Sequence, residues 1–216
     1  MVGRHNKGHP SHPLFRENAM SFRLPRLMLA LAGALTLAAC DAPPVIIKAP
    51  ELSFADKRPY QLDVGQLEIV PEYVPTGRKP NIEHLMPLSP ENATVRWAQD
   101  RLRPMGRTGF ARVLIKDAKV VEVSLKTDAG FTGMFKDQQA QRYDGSLDVA
   151  IQILDERHFP IADVVARATR SQTISENATM NERDQLLNQI SLALIKDIDS
   201  QMDSLIRTYL NRWVMN

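Results

Sequence analysis

The longest regular pattern lies towards the C-terminus. Leu187, Ile190, Leu194, Ile198, Met202, Leu205, Tyr209 and Trp213 recur every three or four residues. That spacing predicts an amphipathic helix of about 30 residues with one apolar stripe. Arg183, Gln189, Lys196, Asp203 and Arg207 form its polar face. Thr179-Met180-Asn181-Glu182 reads as a capping box, in which the threonine oxygen caps the first turn and Glu182 reaches back. Upstream the period changes to two. RYDGSLDVAIQILD (142–155) sets Leu147, Val149, Ile151 and Ile153 against Asp148 and Gln152. After the turn ERHFP, the run IADVVARATRSQT (161–173) also reads as a strand. GFARVLIKDAKVVEVSLKTD (109–128) is strand-like throughout, with Ala111, Val113 and Ile115 on one face and Val121, Val123 and Leu125 sharing another. Asp117 marks either a bend between two strands or a break within one. AGFTGMFKDQQAQ (129–141) reads as a long turn.

QLDVGQLEIV (61–70) alternates as a first strand, with Gly65 placed for a bulge. Ser89-Pro90-Glu91 starts a helix: a capping serine, proline in the first turn and an acid at the positive end of the dipole. Val95, Ala98, Leu102 and Met105 follow at helical spacing, and Pro104 and Gly106 end it. The order is β-α-β-β-β-α. It predicts an α+β domain over 61–216: an antiparallel sheet of about four strands with two helices on one face.

A different pattern precedes the domain. Residues 27–39, LMLALAGALTLAA, are uncharged and 13 long. That is too short for a bilayer span of about 20 residues and suits the core of a secretory signal. Arg23 and Arg26 supply the positive flank. Leu37-Ala38-Ala39-Cys40 closes the run with the only cysteine of the chain, and it resembles the lipobox of bacterial lipoproteins at every position. The resemblance implies cleavage before Cys40 and acylation of its thiol and new amino terminus. Residues 20–39 are then the signal. Residues 1–19, which hold three of the five histidines, read as an extension upstream of a start at Met20. Residues 40–60 carry four prolines and read as a lipidated tether. In enteric-type lipoproteins an aspartate after the cysteine retains the protein in the inner membrane. Asp41 therefore favours that membrane, with the outer membrane as the alternative.

Cleavage also changes the charge. It removes five of 27 basic and one of 25 acidic residues, so the net charge moves from +2 to −2. No bulk charge then points to nucleic acid. With one thiol, and that one acylated, no internal disulfide forms and no cysteine nucleophile remains.

The mature chain shows no Gly-x-Ser-x-Gly turn, no His-Glu-x-x-His and no phosphate-cradling glycine loop. Its two histidines, His84 and His158, lie in a proline-rich loop and a turn. Asp155, Glu156 and His158 read as charged turn residues and not as metal ligands. No catalytic residue, metal or cofactor is expected. Three features suit binding. Phe131, Met134 and Phe135 are large apolar groups on the glycine-containing segment 130–135. Arg101, Arg103, Arg107 and Arg112 cluster at a helix end, where they either offset the helix dipole or contact anionic phosphate. The third is the last turn of the long helix, Tyr209 to Trp213.

RYDGSLDVAIQILD, IADVVARATRSQT and the capped helix beginning ATMNERDQLL resemble the LPS-assembly lipoproteins, and more broadly the auxiliary lipoproteins of envelope ABC lipid transporters. The resemblance spans roughly residues 61–213 by element order. It departs after the cysteine, where DAPPV stands in place of a glycine-aromatic stretch. It implies a β-α-β-β-β-α domain and a non-catalytic, periplasm-facing subunit of an envelope complex, engaged in LPS or lipid transport. The expected partners are the membrane, through the anchor, an envelope protein, and LPS or phospholipid. The alternatives are a lipoprotein that stabilises another envelope machine without binding lipid, and, least, an enzyme.

Overall fold

The computed structural model describes residues 52–126 and 138–215. The lipobox, Asp41 and the segment with Phe131, Met134 and Phe135 lie outside the described residues. Strands are β1 (Tyr60–Leu62), β2 (Gln66–Pro71), β3 (Leu102–Pro104), β4 (Phe110–Asp117), β5 (Val120–Ser124), β6 (Gln139–Leu154) and β7 (Pro160–Ser175). Helices are α1 (Pro90–Arg101) and α2 (Met180–Tyr209). The architecture is α+β, as expected.

Strand β6 of the long hairpin β6–β7 is the centre of a five-stranded sheet. One side of β6 takes β7. Its other side takes β4 against Asp148–Leu154 and β5 against Gln141–Gly145. β2 then joins β4. Odd residues of β6 face the helices. A Cβ on Gly145 would lie 2.9 Å from Ile190 Cγ2 and 3.0 Å from Leu194 Cδ1 of α2. Leu147, Val149, Ile151 and Ile153 share that face and are buried with Ile190, Leu194, Ile198 and Met202. The capping box forms as read: Glu182 N donates to Thr179 Oγ1, and Thr179 N donates to Glu182 Oε2 at 2.7 Å.

Four expectations need correction. First, the sheet is mixed, not antiparallel, and has five strands. β2 runs parallel to β4, and β1 runs parallel to β3. The intervening α1 returns the chain to the starting end, so the next strand enters in the same direction. Second, 61–70 is two strands in two sheets. The chain leaves β1 at Asp63 and Gly65 N donates to Thr108 O and Gly109 O, both at 3.0 Å, on the way into β2. Third, α1 stops at Arg101. Proline at 104 disfavours helical backbone at Arg103, and Leu102 instead pairs with Tyr60 while Met105 is exposed. Fourth, the packed domain begins before Gln61. Leu52, Phe54 and Tyr60 are buried in the core, so the segment read as tether docks on the domain at least from Leu52. Burying these side chains at roughly 1.5–3 kcal/mol each outweighs the extended preference of a proline-rich stretch. In β5, Val120 faces the core, and Val121 and Val123 share the opposite face.

Candidate functional site

β1 and β3 form a second, small sheet. The chain end extends it: Asp63 N donates to Trp213 O and Met215 N to Gln61 O, both at 2.8 Å, with Leu62 bridged to Val214. On the other flank Met105 N donates to Leu62 O at 2.8 Å and Gly106 N to Val64 O at 2.9 Å. Tyr60 and Leu62 turn into the core. Strand alternation therefore turns Gln61 and Asp63 outward. Arg103 stands in register with Gln61. Met105 is 58 % exposed and Met215 42 %. The Arg212 guanidinium lies 5.8 Å from the Trp213 ring. An adjoining groove of about 480 Å³ is lined by Asp63, Thr108, Leu154, Arg157, Ile161 and Trp213.

Methionine and tryptophan offer adaptable apolar area, and arginine adds directional donors. Aromatic, methionine and arginine enrichment is the composition that marks protein interfaces. Two of the three binding features read from sequence meet here, since Arg103, Arg107 and Trp213 all belong to this end of the domain. Arg103 and Arg107 are exposed.

Arg101 does not belong to that surface. It is 4 % exposed and points inward to Asp199, itself 1 % exposed. Arg101 Nε and Trp97 Nε1 each donate to Asp199 Oδ1 at 2.8 Å, and Lys57 Nζ donates to Oδ2. Arg101 also donates to the Arg58 carbonyl and reaches Asp203 Oδ1 at 3.3 Å. The Tyr60 hydroxyl and Arg207 donate to Asp203 as well. This cluster ties the segment 57–60, α1 and α2 together, and it explains why the arginine is unavailable to a phosphate. Burial alone would raise the Asp199 pKa. The hydrogen bonds from Lys57, Trp97 and Arg101 outweigh it and hold the carboxyl below the usual range. For Asp203 the bond from Arg207 comes first, opposed by burial and helped by Tyr60, and its pKa is also lowered.

Asp199 was not singled out from the sequence, although a signal exists. It falls in the apolar stripe of α2, between Ile195, Ile198 and Met202, where a charge requires a buried partner.

The remaining candidates serve the fold. Asp155 Oδ1 accepts from Arg157 N at 2.8 Å and Phe159 N at 2.9 Å, closing the β6–β7 turn. His158 sits in that turn at φ 65° and stacks on Phe110 at 3.9 Å. Arg112 donates through Nε to Glu68 at 2.7 Å. Glu83 is a second buried carboxylate. It accepts from the Tyr73 hydroxyl at 2.8 Å and from Val120 N at 3.3 Å, and so pins the 71–88 loop to the sheet.

Two tyrosines that hydrogen-bond to carboxylates, Tyr60 and Tyr73, give a pH prediction. Burial first, then the bond to Asp203, pushes Tyr60 from 10.0 to about 12. Burial first, then the bond to Glu83, does the same for Tyr73. A raised acid contributes stability that is present below the unfolded value and lost as pH rises through the folded one. Urea midpoints should therefore hold up to about pH 10 and fall from there to about 12. Replacing both tyrosines by phenylalanine should flatten that limb, and an unchanged alkaline slope would contradict the assignment.

No family model and no curated protein matches the chain. Among solved structures it is similar to the crystal structure of the rare lipoprotein B from Shewanella oneidensis. The identity is 11 %, over 66 % of this chain and 95 % of that one, with a TM-score of 0.34.

Proposed function

We propose that this chain is a periplasm-facing membrane lipoprotein that acts, without catalysis of its own, as an assembly or binding subunit of an envelope complex. The observation that carries the reading is Leu37-Ala38-Ala39-Cys40 at the end of a short apolar run flanked by Arg23 and Arg26. Several acyl chains on Cys40 hold a domain stably at a bilayer, where one would not. Asp41 favours the inner membrane. The exposed Met105 and Met215 beside the half-buried Trp213, edged by Arg103 and Arg107, support contact with a partner protein. LPS or lipid transport is the business that the resemblance suggests.

A second reading is a lipoprotein that stabilises another envelope machine and binds no lipid. It draws support from Arg101, whose charge is spent on Asp199 and not offered to a phosphate.

The test is a pull-down of the lipidated chain from detergent-solubilised membranes, read by mass spectrometry for proteins and lipids, beside Cys40→Ala and Arg103→Glu/Arg107→Glu. The anchored chain should label with palmitate and bring down a stoichiometric envelope protein. Cys40→Ala should lose the label and the membrane fraction. The charge reversal should reduce recovery of the partner several-fold, and more so in added salt. Bound lipid selects the transport reading, and protein alone selects the second. A Cys40→Ala chain that still fractionates with membranes would sink the lipoprotein reading.

A further inference from the structure

Strand β7 forms one border of the main sheet and pairs with β6 without a register shift from Ala162 to Ile174. Backbone groups of successive residues therefore point alternately towards β6 and outward. Gln201 of α2 identifies which do which. Its Nε2 donates to Arg167 O at 2.9 Å, and its Oε1 accepts from Arg167 N at 3.4 Å. Asp163, Val165, Arg167 and Thr169 thus turn their N–H and C=O away from β6. The outward groups of Asp163 and Val165 have no partner among the described residues. An open edge of this kind is a template for another strand.

Side-chain charge decides which strand fits. Asp163 is exposed and has no ion-pair partner among the described residues. Arg167 reaches Asp148 through Nε at 2.7 Å and is still 72 % exposed. A second copy of the same edge, running antiparallel about a two-fold axis at Val165, sets Asp163 opposite Arg167 on both sides of the axis. It also sets Val165 opposite Val165 and Ile161 opposite Thr169. An axis at Arg167 sets arginine against arginine, and one at Asp163 sets aspartate against aspartate. Axes at Val164 or Ala166 leave both charges facing uncharged residues. Opposite charges face each other in one register alone, and unlike cross-strand pairs are favourable where like pairs are not.

We propose that two copies of this chain join β7 to β7 about that axis, making one sheet continuous through both. Gln201 holds the Arg167 backbone groups that this pairing uses, so it competes with the second copy and limits the association. Nothing in the pairing depends on the membrane reading.

The test uses the full chain with Cys40→Ala, which leaves no other thiol, and adds either Val165→Cys or Thr173→Cys. Opposed residues at the axis lie roughly 5.5 Å apart between Cα atoms, within disulfide reach. Two copies of residue 173 would be roughly 50 Å apart at the rise of a β-strand. Oxidation should cross-link the 165 variant and leave the 173 variant monomeric on a non-reducing gel. Sedimentation of the Cys40→Ala chain should show a dimer tightened about tenfold by Gln201→Ala and weakened about tenfold by Asp163→Lys. Mixing Asp163→Lys with Arg167→Glu should restore it, since each lysine or arginine then faces an acid. A thermal melt checks that the substituted chains fold. No cross-link at 165, a cross-link at 173, or indifference to Asp163→Lys would each overturn the proposal.

Discussion

Arg101→Met should lower the unfolding free energy by about 3 kcal/mol, towards the low end of what removing one partner of a buried ion pair costs. The variant leaves the carboxylate of Asp199, 1 % exposed, without its guanidinium partner. Two donors remain, Trp97 Nε1 at 2.8 Å and Lys57, whose side chain is half-exposed and arrives from the segment before β1. They offset part of the loss and keep it below the upper range. The Arg58 carbonyl also loses its donor. Arg101→Met with Asp199→Leu should recover most of the loss, because the desolvated charge is gone and apolar atoms fill the space. What stays lost is about 1 kcal/mol, for the Trp97 N–H left unpaired. Urea melts at constant m-value of the parent chain, Arg101→Met, Asp199→Leu and the double variant complete the cycle, which isolates the coupling. A double variant no more stable than Arg101→Met would mean that the pair contributes by shape and not by charge. The same cluster contributes to the acid limb. Asp199 and Asp203 have lowered folded pKa values, so their contribution is fully present above the unfolded carboxylate value of about 3.9 and is lost as pH falls through the folded values. Asp199→Asn should give a less stable chain whose stability changes less below about pH 4.

That cluster also marks where reading along the chain stops. The capping box, the 30-residue helix and the alternation of β6 and β7 were legible because each is a local matter of spacing and turn chemistry. The residues that close the fold act across long separations. Lys57 meets Asp199 at a separation of 142 residues and Trp97 meets it at 102. No period encodes such a meeting. The same holds for β2 beside β4 in parallel: alternation shows a strand and not its neighbour's direction. The candidate surface was half legible. Arg103, Arg107 and Trp213 stood out as residue types, but only the pairing of the chain end with β1 brings them to one end of the domain. Arg101 reads like its neighbours in the sequence, yet one step along the chain α1 gives way to β3, and its side chain turns inward while theirs turn out.

Gly106→Ala should cost about 3 kcal/mol, at the upper end of overpacking effects, and should also disturb the candidate surface. A Cβ there would lie 2.5 Å from Val64 N and 2.6 Å from Asp63 C, both backbone atoms that cannot rotate away. The strand end must instead move off β1. That movement breaks the 2.9 Å bond from Gly106 N to Val64 O and shifts Met105 and Arg107, the residues on either side. Gly77 is the control. Its φ is 65°, and a Cβ would meet nothing within 4 Å. Gly77→Ala therefore carries only the left-handed penalty, about 1 kcal/mol. Comparing the two urea midpoints separates collision from backbone preference. Recovery of the proposed envelope partner then separates stability from surface. At a temperature where both chains are folded, Gly77→Ala should retain the partner and Gly106→Ala should lose it. Equal recovery from both would place the contact elsewhere on the domain, and equal midpoints would mean that β3 gives way to the methyl group without strain.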